Sequence, residues 1–162
     1  MRRALLSLGL IVIGALIAIQ FVPYGRSHVN PPVRQEPRWD RAETRALAVR
    51  ACFDCHSNET VWPWYSHVAP LSWLAQRDVD EGRRELNFSE WNRRQPEAGE
   101  SAKTMHEGEM PPWLYALPGT SARLTAGERA ALIAGLEATL GTDGPRGSAR
   151  GHDSRTGRER HD

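Results

Sequence analysis

The chain has 162 residues and a net charge of +1, and 40% of its residues are hydrophobic. This length suits one folded domain with appendages and is short for two domains. A nearly neutral chain argues against a nucleic acid as the partner.

The N-terminal segment is apolar over residues 4–22 and follows Arg2 and Arg3. Nineteen helical residues at about 1.5 Å each nearly cross the hydrocarbon core of a bilayer. The run lacks the Ala-x-Ala-like site of a cleaved signal peptide, which is the alternative. We therefore predict an uncleaved signal anchor over residues 1–24, a single-pass helix in a bacterial inner membrane. Arg2 and Arg3 would stay cytoplasmic, and the rest of the chain would lie in the periplasm.

The stretch after the anchor, residues 25–39, contains three prolines. It is predicted to be an extended, Pro-rich linker that holds the next domain off the bilayer. Asp40, with Glu43 three residues on, is typical of a helix N-cap. The helix that it begins is predicted to extend through Cys52 and to present both cysteines on one face.

The string Cys52-Phe53-Asp54-Cys55-His56 is typical of a covalent attachment site for c-type haem. Cys52 and Cys55 would each add across a haem vinyl group, and His56 would bind the iron as the proximal ligand. Covalent haem assembly takes place on the outer side of the bacterial inner membrane. The motif therefore agrees with export of the domain.

Three other uses of a Cys-x-x-Cys string are open. A redox pair would need a thioredoxin-like alternation of strands and helices, which the pattern of this chain does not show. A structural zinc site would need a further Cys or His pair at the usual spacing. A disulfide between residues three apart is geometrically awkward.

An aromatic loop is predicted after the motif, because Pro63 interrupts any helix there and Trp62, Trp64 and Tyr65 surround it. Two interpretations are open. The aromatic residues could pack as an ordinary loop, or they could form a wall of the haem pocket and bond a propionate.

Further helices follow from apolar spacing. One is predicted over residues 70–87, with Gly82 as its weak point, and Ser89 is a second start signal. Four arginines are expected on solvated faces, with pairing to a haem propionate as the alternative: Arg83, Arg84, Arg93 and Arg94. A short helix over residues 97–107 ends at Gly108.

The last helix begins at a capping box formed by Thr125 and Glu128 and is predicted to end at Gly141. Residues 141–162 contain no bulky aliphatic side chain. They are therefore predicted to be a disordered tail.

The sixth iron ligand is predicted to be Met110, because Pro111 and Pro112 leave the chain few conformations and so fix the direction of the thioether. The alternatives are Met105, His106, His67 and an open site. His and Met together would give an electron carrier. A displaceable site would give a gas or redox sensor, or an accessory haem protein. No acid/base pair for peroxide cleavage is evident, so an enzyme is not expected.

Seven short stretches share their residue order with a known family: Cys52-Phe53-Asp54-Cys55-His56-Ser57-Asn58, Pro63-Trp64-Tyr65-Ser66, Ala69-Pro70, Ser72-Trp73, Glu81-Gly82-Arg83, Leu86-Asn87-Phe88-Ser89-Glu90-Trp91 and Gly108-Glu109-Met110-Pro111-Pro112. Their general order resembles class I c-type cytochromes. More closely, the chain is similar to the small membrane-anchored haem-binding domain family of bacterial cytochromes.

The resemblance implies an all-α fold, with a class I cytochrome c-like haem domain over residues 40–140. It implies one haem c, bound by thioethers at Cys52 and Cys55, with His56 as proximal and Met110 as distal ligand. The family is defined by haem binding and not by a reaction. An unidentified redox protein is therefore the expected partner, and no small-molecule substrate is expected.

The core predicted from the sequence is small. Residues 40–140 contain ten Leu, four Val and one Ile, which is few for a domain of this length. A buried macrocycle would fill the deficit. The domain without haem is therefore predicted to fold poorly.

Overall fold

The fold is helical, as predicted. A computed structural model describes residues 2–113, 115–116 and 120–143. Within these ranges there are six α-helices and two 3₁₀ turns, and the β-structure is a single isolated bridge between Gln35 and Glu90. The α-helices are α1 (Arg2–Ile19), α2 (Ala42–Ala51), α3 (Phe53–His56), α4 (Leu71–Glu85), α5 (Ser101–Glu107) and α6 (Ala126–Asp143), and the 3₁₀ turns are Trp64–His67 and Ala98–Glu100.

Helix α1 agrees with the predicted membrane anchor. It is long and apolar enough to cross a bilayer, and it buries none of its residues. A helix that is apolar all round and unburied by protein needs another apolar environment. A lipid bilayer would supply this environment.

The linker, residues 25–39, forms no helix and is not a free tether. The backbone N–H groups of Arg34 and Gln35 donate to the Ser89 carbonyl at 2.8 and 3.1 Å, and the Trp91 N–H donates to the Gln35 carbonyl at 2.8 Å. Pro37 is buried. The prolines therefore favour an extended path along the domain surface.

The core lies where α2, α5 and α6 meet. Helix α6 contacts both α2 and α5. Ten buried side chains form the main cluster: Leu47, Ala48, Phe53, Leu86, Phe88, Ala98, Met105, Leu132, Leu136 and Leu140. The crossing of α2 and α6 is close, because a Cβ atom on Gly135 would lie 2.2 Å from the Thr44 hydroxyl oxygen.

Helix boundaries differ from the predictions: α4 and α5 are shorter than predicted, at Leu71–Glu85 and Ser101–Glu107, and the start of α2 and the end of α6 differ as well. The N-cap of α2 is Arg41, whose side chain makes no capping bond, whereas Asp40 is bonded to Thr139 of α6. Hydrogen bonds from Thr44, Arg41 and Thr139 hold the pKa of Asp40 below its usual value. Helix α6 continues through Gly141 to Asp143, since a glycine weakens a helix by only about 1 kcal/mol. The rest of the predicted tail, residues 144–162, lies outside the described residues.

The capping box of α6 is confirmed. The Thr125 N–H donates to the Glu128 carboxylate at 2.8 Å, and the Glu128 N–H donates to the Thr125 hydroxyl at 3.2 Å. These bonds, together with the ion pair to Arg50, lower the pKa of Glu128 to about 2. The predicted end of α5 is also confirmed, since Gly108 adopts a left-handed conformation with φ of 85°.

Candidate functional site

The Cys-x-x-Cys-His motif occupies a break between two helices. Helix α2 ends at Ala51, and the single turn of α3 begins at Phe53, so Cys52 is the joint between them. The N–H groups of Cys55 and His56 both donate to the Cys52 carbonyl, at 3.2 and 2.9 Å. The prediction of one continuous helix is therefore wrong. The turn still keeps Cys52, Cys55 and His56 close together.

Both cysteines are unpaired and partly accessible. Burial raises the pKa of the Cys52 thiol to about 12. Burial, reinforced by the negative charges of Asp78 and Asp54, raises the pKa of Cys55 to about 12 as well. Both groups are consequently neutral thiols at pH 7, whereas a redox Cys-x-x-Cys pair depends on a depressed pKa. This environment argues against the redox alternative.

The imidazole of His56 is oriented by two backbone carbonyls. Its Nδ1 lies 3.0 Å from the Gly82 oxygen and 3.1 Å from the Leu86 oxygen. Because a carbonyl oxygen can only accept, Nδ1 carries the hydrogen, and the lone pair of the neutral ring is on Nε2. Burial lowers the pKa of His56 and so favours this neutral form. A ring N–H donated to a carbonyl is the usual support of a metal-binding histidine.

Gly82 brings α4 against the motif. A Cβ atom at this position would lie 2.6 Å from the Cys55 carbonyl oxygen and 3.0 Å from its carbon. The same residue supplies a carbonyl to His56. The sequence indicated only a weak point of the helix, whereas the structure shows that glycine is required for this contact.

The prediction that Arg83 lies on a solvated face is wrong. Its guanidinium donates to the Ser57 carbonyl at 2.7 Å, the Val29 carbonyl at 3.0 Å, the Asn30 side chain at 2.9 Å and the Thr60 hydroxyl at 3.0 Å. Burial lowers the pKa of Arg83. This side chain therefore connects α4 to the loop after the motif and to the linker.

A buried polar network holds the same loop from the other side. Asn87 donates to the Asn58 side chain at 2.8 Å, and the Asn58 N–H donates to the Ser89 hydroxyl at 2.9 Å. The Asn87 N–H is bonded to Gln95 at 2.8 Å. No helix begins at Ser89, contrary to the prediction, because its hydroxyl is engaged by Asn58.

The three predicted aromatic residues lie in different surroundings. The Trp62 ring stacks on His28 at 4.6 Å. Trp64 is exposed and contacts Tyr65 edge-on at 6.0 Å. Burial raises the pKa of Tyr65, and the nearby Asp54 and Cys55 raise it further. The rings of Trp62 and Trp64 contact residues outside the motif, and Tyr65 lies close enough to Asp54 and Cys55 for their charges to act on it.

The four candidate distal ligands also lie in different surroundings. Met105 is 2% exposed and belongs to the core. The His67 ring contacts His28 edge-on at 4.4 Å, and His106 is exposed on α5. Met110 is 37% exposed. Of the four, Met105 is committed to packing, while Met110 keeps an accessible side chain.

Hydrogen bonds hold the chain both before and after Met110. Before it, the N–H groups of Glu109 and Met110 donate to the Thr104 carbonyl at 3.0 and 3.4 Å. After it, the Tyr115 hydroxyl donates to the Asp78 carboxylate of α4 at 2.7 Å. Sequence reasoning missed this second bond, because no local pattern links residues so far apart in the chain.

Removing the Tyr115 hydroxyl should loosen the segment that follows Met110. In Tyr115→Phe we expect the free energy of unfolding to fall by about 1 kcal/mol near neutral pH. Burial and the bond to Asp78 raise the pKa of Tyr115 above its ordinary value of 10.0. Above about pH 10, unfolding of the parent therefore releases a proton from Tyr115, so the free energy of unfolding of the parent falls as the pH rises. The difference in this free energy between the parent and Tyr115→Phe becomes smaller.

Urea titrations of the full chain in detergent at several pH values would measure this. Tyr24→Phe is the matched control, since Tyr24 is half-exposed. An equal loss in both variants would contradict a specific role for the Tyr115–Asp78 bond.

The residues around the motif fit a haem group. The motif offers two neutral thiols and one imidazole whose Nε2 lone pair is not used by the carbonyls. On α4, Leu71 and Leu74 share a helix face with Asp78 and Gly82, and both leucines are exposed. Exposed apolar side chains beside such donors suit a large, flat, apolar macrocycle.

Comparison with known proteins gives one informative result. A family model described as "Haem-binding domain" matches residues 14–138. No curated protein and no solved structure matches the chain. The matched range includes the motif, α4, Met110 and most of α6.

Proposed function

Because the chain belongs to the haem-binding domain family, we propose that it is a periplasmic, membrane-tethered monohaem cytochrome that carries one covalent haem c and transfers electrons. Family membership supports the haem cofactor itself. The two carbonyls that orient His56 support its role as the iron ligand, since they leave Nε2 free to bind iron. The arrangement of the helices would be that of a class I cytochrome c.

Cys52 and Cys55 would hold the group covalently. Each thiol would add across one vinyl group, so that the sulfur bonds one carbon and the thiol hydrogen passes to the other. His56 would bind the iron through Nε2, and Met110 would bind it through sulfur. Tyr65, half-buried in the loop after the motif, would pack against the group.

The bound haem would supply an iron that gains and loses one electron. The protein would keep that iron closed to substrates, because His56 and Met110 would both be bound to it. The carbonyls of Gly82 and Leu86 would fix the ring orientation of His56 and increase its basicity. We accordingly propose a redox protein as partner, and neither an enzymatic reaction nor a small-molecule substrate.

A second candidate function is a haem-based gas or redox sensor. In the protein without haem, the Met110 side chain is 37% exposed, so the core does not enclose it as it encloses Met105. Such a sensor would bind oxygen, nitric oxide or carbon monoxide at the sixth position. The two functions differ in whether Met110 stays bound.

Visible spectra of the full chain in detergent would test this choice. The carrier predicts a low-spin ferric spectrum with the weak far-red band of methionine sulfur, and no change of the reduced spectrum with carbon monoxide. In Met110→Ala we expect loss of that band and ready binding of carbon monoxide. His106→Ala, an exposed change on α5, should leave both properties intact.

Carbon monoxide binding by the parent protein would contradict the carrier and favour the sensor. A far-red band that survives in Met110→Ala would show that another side chain is the ligand.

A further inference from the structure

We propose that the haem domain lies directly on the membrane, with residues 66–71 in the lipid headgroup layer. We call these residues the docking loop. The proposal rests on the anchor role assigned to α1 in the proposed function. It replaces the expected free tether with a fixed orientation, and the bilayer surface is the partner of the docking loop.

The length of α1 sets the depth of Gln20 in the bilayer. Helix α1 has 18 residues. At about 1.5 Å per residue it is about 27 Å long, close to the thickness of a hydrocarbon core of about 30 Å. Gln20, directly after α1, therefore lies at the edge of the headgroup layer. The Gln20 Nε2 donates to the Ala69 carbonyl at 2.9 Å, and the Ala69 N–H donates to Gln20 Oε1 at 3.1 Å. Ala69 consequently lies at the same depth as Gln20.

Several further contacts reinforce this joint. Arg26 donates to Gln20 Oε1 at 3.0 Å. Gly25 has a φ of +75°, and a Cβ atom on it would lie 2.3 Å from the Ser72 carbonyl oxygen. The chain that leaves α1 thus packs closely on the start of α4. The docking loop cannot move away from the bilayer unless these contacts break.

The exposed side chains of the joint suit lipid. Phe21 is 83% exposed, and Val22 and Val68 are exposed as well. Apolar groups and aromatic rings are favoured at the boundary between hydrocarbon and headgroups. The polar backbone of Ala69 is satisfied by Gln20, so contact with lipid would leave neither its N–H nor its carbonyl unpaired.

Nitroxide labels in the full, haem-loaded chain would test the proposal. The protein is reconstituted in vesicles of phosphatidylethanolamine and phosphatidylglycerol, and each label is first recorded under nitrogen without the nickel chelate, so that the relaxation caused by the haem iron is subtracted. One cysteine is introduced at a time, as Leu10→Cys in α1, Val68→Cys in the docking loop, or Lys103→Cys on α5. Collision rates with oxygen and with a water-soluble nickel chelate report the depth of each label.

We expect the oxygen-to-nickel ratio at Val68 to exceed that at Lys103 several-fold and to stay below that at Leu10. Adding Gln20→Ala should move the Val68 ratio toward the Lys103 value. The haem spectrum verifies that this variant is folded.

Equal ratios at Val68 and Lys103, with Leu10 deep in the bilayer, would overturn the proposal and leave the anchor and the carrier function intact. A water-exposed Leu10 would refute the anchor, and the proposal with it. Spectra of the same samples test the carrier function separately.

Discussion

Replacing Gly82 with alanine should nearly abolish the haem-loaded protein. The added methyl group would lie 2.6 Å from the Cys55 carbonyl oxygen, and backbone cannot turn aside as a flexible side chain can. Overpacking typically costs about 1–3 kcal/mol, and a collision with backbone belongs at the upper end. The same displacement would move the Gly82 carbonyl away from His56 and disturb both haem attachment and ring orientation.

Covalent haem per chain and the thermal midpoint of the purified protein would measure this effect. The matched control is Gly127→Ala, because Gly127 is also helical and a Cβ atom there meets nothing within 4 Å. That control should retain its haem and become more stable by up to about 1 kcal/mol. If Gly82→Ala contained as much haem per chain as the parent, α4 and the motif could move apart without loss of haem.

The second large effect is expected when haem is absent. The double variant Cys52→Ala, Cys55→Ala should keep helical content but lack a cooperative tertiary fold. Large apolar side chains near the motif, such as Leu71 and Leu74, are exposed in the protein alone and gain cover only from a bound group. Burying such side chains contributes about 25 cal/mol per Å².

Near-UV circular dichroism and urea unfolding of the full chain in detergent would show this loss. Parent protein made without a haem-attachment system is the control, since it separates the absence of haem from the loss of the cysteines. Both haem-free proteins should lack a sharp near-UV spectrum. A cooperative transition in either would mean that α2, α5 and α6 form a sufficient core.

The sequence was informative at two helix ends where the signal is local. The left-handed Gly108 and the capping box of Thr125 and Glu128 depend on neighbours within a few residues, and each stretch has one favoured structure. That α1 is long and apolar enough to cross a membrane follows from its length and composition alone.

The predictions failed where a distant partner decides the structure. Ser89 has the chemistry of a helix cap, but Asn58 engages its hydroxyl. Arg83 has the chemistry of a surface residue, but the linker and the loop after the motif surround it with acceptors. Gly82 weakens a helix in isolation, yet it is required by a contact with Cys55 that periodicity does not show.

The break at Cys52 has a mechanical consequence. Cys52 terminates α2, whereas Cys55 lies within α3, so the proposed thioethers would attach one rigid group to two helices. The macrocycle would then hold α2 and α3 in a fixed relative orientation. Local opening at this joint would have to break the packing on both sides at once. We therefore expect slow unfolding and resistance to proteolysis around residue 52, a form of kinetic stability, once the second thioether has formed.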